Sequence, residues 1–88
     1  MEITIYKSTH CMQCKMALKV LSAHGITVPN DHIINIDEQP QFRSLLKSKG
    51  LTSLPVIVID QDFDSAILGF NPDRIDDLIA KYNALREV

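Results

Sequence analysis

The chain has 88 residues, 45% hydrophobic and 23% charged, with nine Lys and Arg against eleven Asp and Glu for a net charge of -2. That length holds a single domain, residues 1–88, with one modest core, and the ordinary apolar content excludes extended disorder. No basic excess is available for a phosphate backbone, so nucleic acid is not an expected partner. No membrane is expected either, because no stretch approaches the roughly 18 apolar residues of a span.

The first element is "EITIY", residues 2–6, where β-rich residues alternate and predict a strand. Glu2 stands where a secretory leader would carry positive charge and no apolar run follows, so the chain reads as cytoplasmic. "KSTH" breaks the strand with cap-forming residues. From Cys11 to His24 there is no Gly or Pro, and Cys14, Ala17, Leu18 and Leu21 recur at helical spacing, with Met16 and Val20 widening the stripe. Gly25 then stops the predicted helix.

"HIINID", residues 32–37, predicts a second strand, and "PQFRSLLKSKG", residues 40–50, a second helix with Pro near its start and Gly past its end. "LPVIVID", residues 54–60, is a nearly unbroken apolar run, as in a strand buried on both faces. An acidic turn, "DQDFD", leads to a short fourth strand in "SAILG". Asn71 and Pro72 fit the N-cap and first position of a last helix ending near Arg86. The order β-α-β-α-β-β-α predicts an α/β fold: a parallel first pair, an antiparallel last hairpin, and a mixed four-stranded sheet with helices on both faces.

The chemistry lies in "HCMQCK", which holds the only two cysteines, Cys11 and Cys14. They fall where the first strand passes into the first helix, so Cys11 lies beside unpaired backbone N–H groups and the positive end of the helix dipole. That setting favours a thiolate over a thiol of ordinary pKa near about 8.5. Cys14, one helical turn on, is placed to attack a mixed disulfide formed at Cys11. In a reducing compartment a close cysteine pair is more often catalytic or metal-binding than structural.

One C-x-x-C supplies two ligands where a closed zinc site needs about four, and His10, His24 and His32 lack the spacing to complete it. The residues therefore favour thiol–disulfide exchange and no metal. Met12 and Gln13 bring no titratable group to the pair. Pro55 fits only at the first residue of a buried strand, and local sequence leaves its cis or trans form open. His10 reads as an exposed turn residue, Lys15 and Lys19 as a solvated helix face.

"CMQC" after a first strand, "LPV" opening the third and "GFNPD" opening the last helix, in this order and across almost the whole chain, resemble the NrdH redoxins, glutaredoxin-like members of the thioredoxin superfamily. The resemblance implies a monomeric dithiol carrier that delivers electrons to the large subunit of class Ib ribonucleotide reductase. It also implies re-reduction by thioredoxin reductase with NADPH as the source, and no bound cofactor beyond the redox-active disulfide. Cys11 looks like the attacking cysteine and Cys14 the resolving one. Pro55 looks like the superfamily's cis-proline, which would leave the backbone of Leu54 to pair with an extended substrate segment. Met12, Gln13, Gly69 and Phe70 would complete the substrate-contacting surface.

Ordinary glutaredoxins hold glutathione with a Gly-Gly turn, where this chain has Gly69 and Phe70, and tend to carry "CPYC", where it has "CMQC". Both differences favour thioredoxin reductase over glutathione. The chain also departs from the redoxins: Ile67 and Asn71 replace the Trp and Arg of their W-S-G-F-R-P motif, and Ser8 occupies a position that is usually basic. A glutathione-dependent glutaredoxin, and a metal-binding or adaptor module on the same fold, remain the alternatives.

Overall fold

The computed structural model describes residues 2–86. Its elements are β1 (Ile3–Lys7), α1 (Met12–Ala23), a 3-10 turn (Asn30–His32), β2 (Ile33–Asn35), α2 (Pro40–Ser48), β3 (Val56–Ile59), β4 (Asp62–Leu68) and α3 (Pro72–Arg86). The four strands form one sheet in the order β2-β1-β3-β4, with β1 parallel to β2 and the other two pairs antiparallel. This is the expected thioredoxin-like arrangement.

Central strands β1 and β3 carry apolar side chains on both faces because both faces are covered. On one face Ile3, Ile5 and Ile57 pack with Ala17 and Leu21 of α1 and with Ile75, Leu78 and Ile79 of α3. On the other, Tyr6, Val56 and Val58 pack with Ile36 and with Leu46 of α2. Both shorter helices end alike. The N–H groups of Gly25 and Ile26 donate to Ser22 and Leu21, those of Gly50 and Leu51 to Lys47 and Leu46. Each is a Schellman motif, with the glycine at positive φ and an apolar residue folded back onto the helix.

Three strand boundaries differ from the sequence expectation. The second strand is confined to Ile33–Asn35 because residues 30–32 close a 3-10 turn, and Asn35 then accepts from Asp37, Glu38 and Gln39 to turn the chain. Leu54, Pro55 and Asp60 lie outside the third strand, which keeps only its apolar centre. The fourth strand starts at Asp62 rather than Ser65, because Asp60 and Gln61 both adopt positive φ and make the two-residue turn by themselves. Such a turn matches the twist of a hairpin. Val58 then faces the irregular stretch from Phe63 to Ala66 between the pairs Ile59–Asp62 and Ile57–Ile67.

Met16, placed by its spacing on the apolar stripe of α1, is exposed, whereas Leu18 and Val20 do pack against the core. Asn71 caps α3 as expected, its Oδ1 accepting from the N–H of Arg74 at 3.3 Å.

Candidate active site

The C-terminal end of β1 delivers the chain into a short loop, and Cys11 takes the N-cap position of α1 with extended φ and ψ of -116° and 103°. Its sulfur does what a capping oxygen ordinarily does, accepting the N–H of Cys14 at 3.1 Å. Cys14 belongs to the first turn and points inward, only 1% exposed, while Cys11 is half-buried. The two sulfurs are joined as a disulfide, and the Cα separation of 5.2 Å falls in the roughly 4.4–6.8 Å window that such a bond needs. An accessible outer sulfur and a covered inner one are thus fixed by their positions on one helix start.

The loop before Cys11 is tied down from the other side. Asp37 accepts the N–H of Thr9 at 2.9 Å, Asn35 Nδ2 donates to the Thr9 hydroxyl at 3.2 Å, and Arg43 of α2 pairs with the Asp37 carboxylate. The Thr9 N–H, with the nearby Arg43 guanidinium, holds the Asp37 carboxyl below the usual carboxylate range. Sequence reading missed this network, since its members stand 26 and 28 residues apart and no local pattern marks them.

Gln13, between the cysteines, reaches across to the loop after β4: its Oε1 accepts the N–H of Phe70 at 3.1 Å. Gly69 is buried at φ 69°, where L side chains are strained, and its N–H is shared between the carbonyls of Ser53 at 3.1 Å and Pro55 at 2.9 Å. The Leu54–Pro55 bond is cis. The fold therefore gathers residues 11–14, 53–55 and 69–70 around the disulfide. Met12 is 69% exposed beside it. The Phe70 ring packs against the α1–α3 core and not freely into solvent. His10, Lys15 and Lys19 are exposed.

Among the described residues, no group of three or more His, Cys, Asp or Glu is placed to hold a metal ion, and no helix is long and apolar enough to cross a membrane. What this arrangement can do is exchange a disulfide: an outer sulfur that an N–H can stabilise as an anion, and an inner sulfur within bonding reach of it.

The glutaredoxin family profile matches residues 3–63. The chain is 42% identical over 73 residues, covering 83% of itself and 93% of the relative, to the glutaredoxin-like protein NrdH of Lactococcus lactis subsp. lactis strain IL1403. It is 34% identical over 83 residues to the gene 56 protein of Mycobacterium phage D29, covering 93% of this chain and 87% of that one. In structure it is similar to NrdH-redoxin from Escherichia coli, a glutaredoxin-like protein with a thioredoxin-like activity profile, at a TM-score of 0.76 and 32% identity over 89% of this chain and 95% of the other. It is also similar to a glutaredoxin from Archaeoglobus fulgidus, with a TM-score of 0.64, 25% identity and coverage of 89% and 85%. With C-x-x-C capping the first helix and these relatives spanning nearly its whole length, the chain belongs to the glutaredoxin family as an NrdH-type redoxin, a thiol–disulfide oxidoreductase.

Proposed function

We propose that this redoxin is an electron carrier for class Ib ribonucleotide reductase and is recycled by thioredoxin reductase at the expense of NADPH. The observation that carries the exchange chemistry is the Cys11 sulfur at the helix N-cap, accepting the Cys14 N–H, with Cys14 buried behind it. The link to ribonucleotide reductase rests on similarity to the NrdH proteins.

In the reduced carrier the helix start favours Cys11 as the thiolate. That sulfur attacks one sulfur of the substrate disulfide; the S–S bond breaks and the departing sulfur takes a proton. Cys14, once deprotonated, attacks the Cys11 sulfur of the mixed disulfide and expels the second substrate thiolate, which is protonated in turn. Two electrons and two protons reach the substrate and the carrier is left as the Cys11–Cys14 disulfide. Thioredoxin reductase returns both electrons from NADPH through its flavin.

Substrate lies over Met12, Leu54 and the loop at Phe70, with Pro55 and Gly69 buried beneath that surface and Gln13 tying its two halves together. The Gln13 Oε1 engages the Phe70 N–H, so a backbone donor of the loop that holds glutathione in ordinary glutaredoxins is already occupied here. That supports thioredoxin reductase as the reductant.

NADPH consumption with a disulfide substrate tests the wiring: turnover is expected with thioredoxin reductase and not with glutathione plus glutathione reductase. Turnover only with glutathione would replace this reading by a glutathione-dependent glutaredoxin. Cys11→Ser is expected to abolish activity, whereas Cys14→Ser accumulates the mixed disulfide, visible as an adduct by intact-mass spectrometry. A fully active Cys11→Ser variant would sink the mechanism.

A further inference from the structure

The chain has two cysteines and three methionines, and four of these five residues fall within 11–16: Cys11, Met12, Cys14 and Met16. The fifth, Met1, lies outside the described residues. Met12 opens α1, and Met16 follows one turn later on the same side of the helix. Both methionines stand in solvent, 69% and 45% exposed, although helical spacing puts Met16 on the apolar stripe. The two cysteines among them are tied to each other as a disulfide.

These positions give the two redox states of the carrier different responses to hydrogen peroxide. In the dithiol state a peroxide oxygen goes to the Cys11 sulfur, and Cys14 displaces it as water, which leaves only the ordinary Cys11–Cys14 disulfide. In the disulfide state no thiolate is present, and the thioethers of Met12 and Met16 are the exposed sulfurs left to oxidise among the described residues.

We propose that Met12 is an oxidative modification site: in the disulfide state peroxide converts it to methionine sulfoxide, which weakens docking of protein partners until a methionine sulfoxide reductase restores it. The O–O bond breaks, one oxygen bonds to the Met12 sulfur, and the other leaves as water with both peroxide hydrogens. The thioether gives up two electrons and the peroxide takes them. The inference rests on the reading that partners lie over Met12. Before oxidation that side chain is a flexible apolar contact that adapts to differently shaped surfaces. Afterwards the same place presents a polar, chiral S=O group, which loses its water under a partner that offers it no donor. Because the disulfide state builds up when reductant runs short, the sulfoxide acts as a brake set by electron supply.

The test holds the full-length protein as its disulfide, treats it with hydrogen peroxide and maps the products by peptide mass. Met12 is expected to gain one oxygen before Met16, which is the less exposed of the two. With its cysteines re-reduced by dithiothreitol, the treated protein is expected to reduce insulin about three- to tenfold more slowly, through a higher KM, as dehydration of a polar group in an interface implies. Reaction with 2,2′-dithiodipyridine, too small to need the surface, is expected to hold within twofold. Met12→Leu is compared with its own untreated rate, and peroxide should leave that ratio near one. Methionine sulfoxide reductases of both stereospecificities should restore the mass and the rate of the wild-type protein.

Oxygen gained at Met16 while Met12 stays intact, a Met12 sulfoxide with an unchanged KM for insulin, or an equal loss in Met12→Leu would each overturn the site. So would an equal loss with 2,2′-dithiodipyridine, which would place the damage at the cysteines. Thioredoxin reductase plays no part in these readouts. Failure of the proposed wiring would show separately, as an untreated protein that thioredoxin reductase does not reduce.

Discussion

The two faces of the sheet are built differently. Two helices, α1 and α3, close one face over a continuous layer of Ile and Leu side chains, whereas the other has only the nine residues of α2, an aromatic group of Tyr6, Phe42 and Phe63, and an unfilled cavity at its edge. The first face is where burial accumulates. The second leaves a cavity rimmed by Arg43 and Lys47 and the backbone of Leu54 without a hydrogen bond among the described residues.

Truncations on the two faces should separate these roles most widely. Leu21, fully buried between α1 and the sheet, is expected to cost about 2–5 kcal/mol as Leu21→Ala, enough to threaten folding at this size. Leu51→Ala, half-buried at the cavity, is expected to cost about 1 kcal/mol or less, since much of its side chain already borders open space. Urea unfolding of both variants measures the difference. Equal losses would mean that α2 covers its face as tightly as α1 and α3 cover theirs.

Gln13 joins the α1 side to the loop beyond β4, and its removal should have a middling effect. Gln13→Ala withdraws the acceptor from the Phe70 N–H, at a place where water can substitute, so about 0.5–1.5 kcal/mol of stability is the upper range. Its larger consequence is expected in turnover with thioredoxin reductase, because the two halves of the substrate surface lose their tie. Unchanged turnover together with unchanged stability would leave Gln13 as a spacer between the cysteines.

Element order, the parallel first pair, the last hairpin and the cysteine pair were legible because each has a local signature: alternation in β1, helical spacing at Cys14, Ala17 and Leu21, Gly and Pro at helix ends, and C-x-x-C after a strand; the β1–β3 pairing that joins the two halves has none. The β3–β4 boundary was not. Asp60-Gln61 lacks the glycine that ordinarily marks a two-residue hairpin turn, and the three acids around Phe63 read as loop although Asp62 pairs with Ile59. Likewise, nothing near Thr9 announces Asp37, and nothing near Gln13 announces Phe70. These contacts exist only once the sheet has brought distant segments together, and they hold the active site in place.

The smallest expected effect concerns that tether on the thin face. In the folded chain the Asp37 carboxyl is held below its ordinary value of 3.8 by the Thr9 N–H and by Arg43. The unfolded chain has neither partner, so it binds this proton more readily. The stability contributed by the ionised carboxylate is therefore complete above about pH 4 and is lost as pH falls through the lowered folded value. Asp37→Asn removes that dependence: thermal midpoints of the variant and the wild type should differ at pH 7 and converge as the pH drops below 4. Because Asp37 is exposed, solvent and salt screen the pair, and the difference at pH 7 should shrink further at high ionic strength. A wild-type acid transition with the same slope as that of Asp37→Asn would mean that Thr9 is held by Asn35 alone, and that the loop presenting Cys11 does not depend on the charge at Asp37.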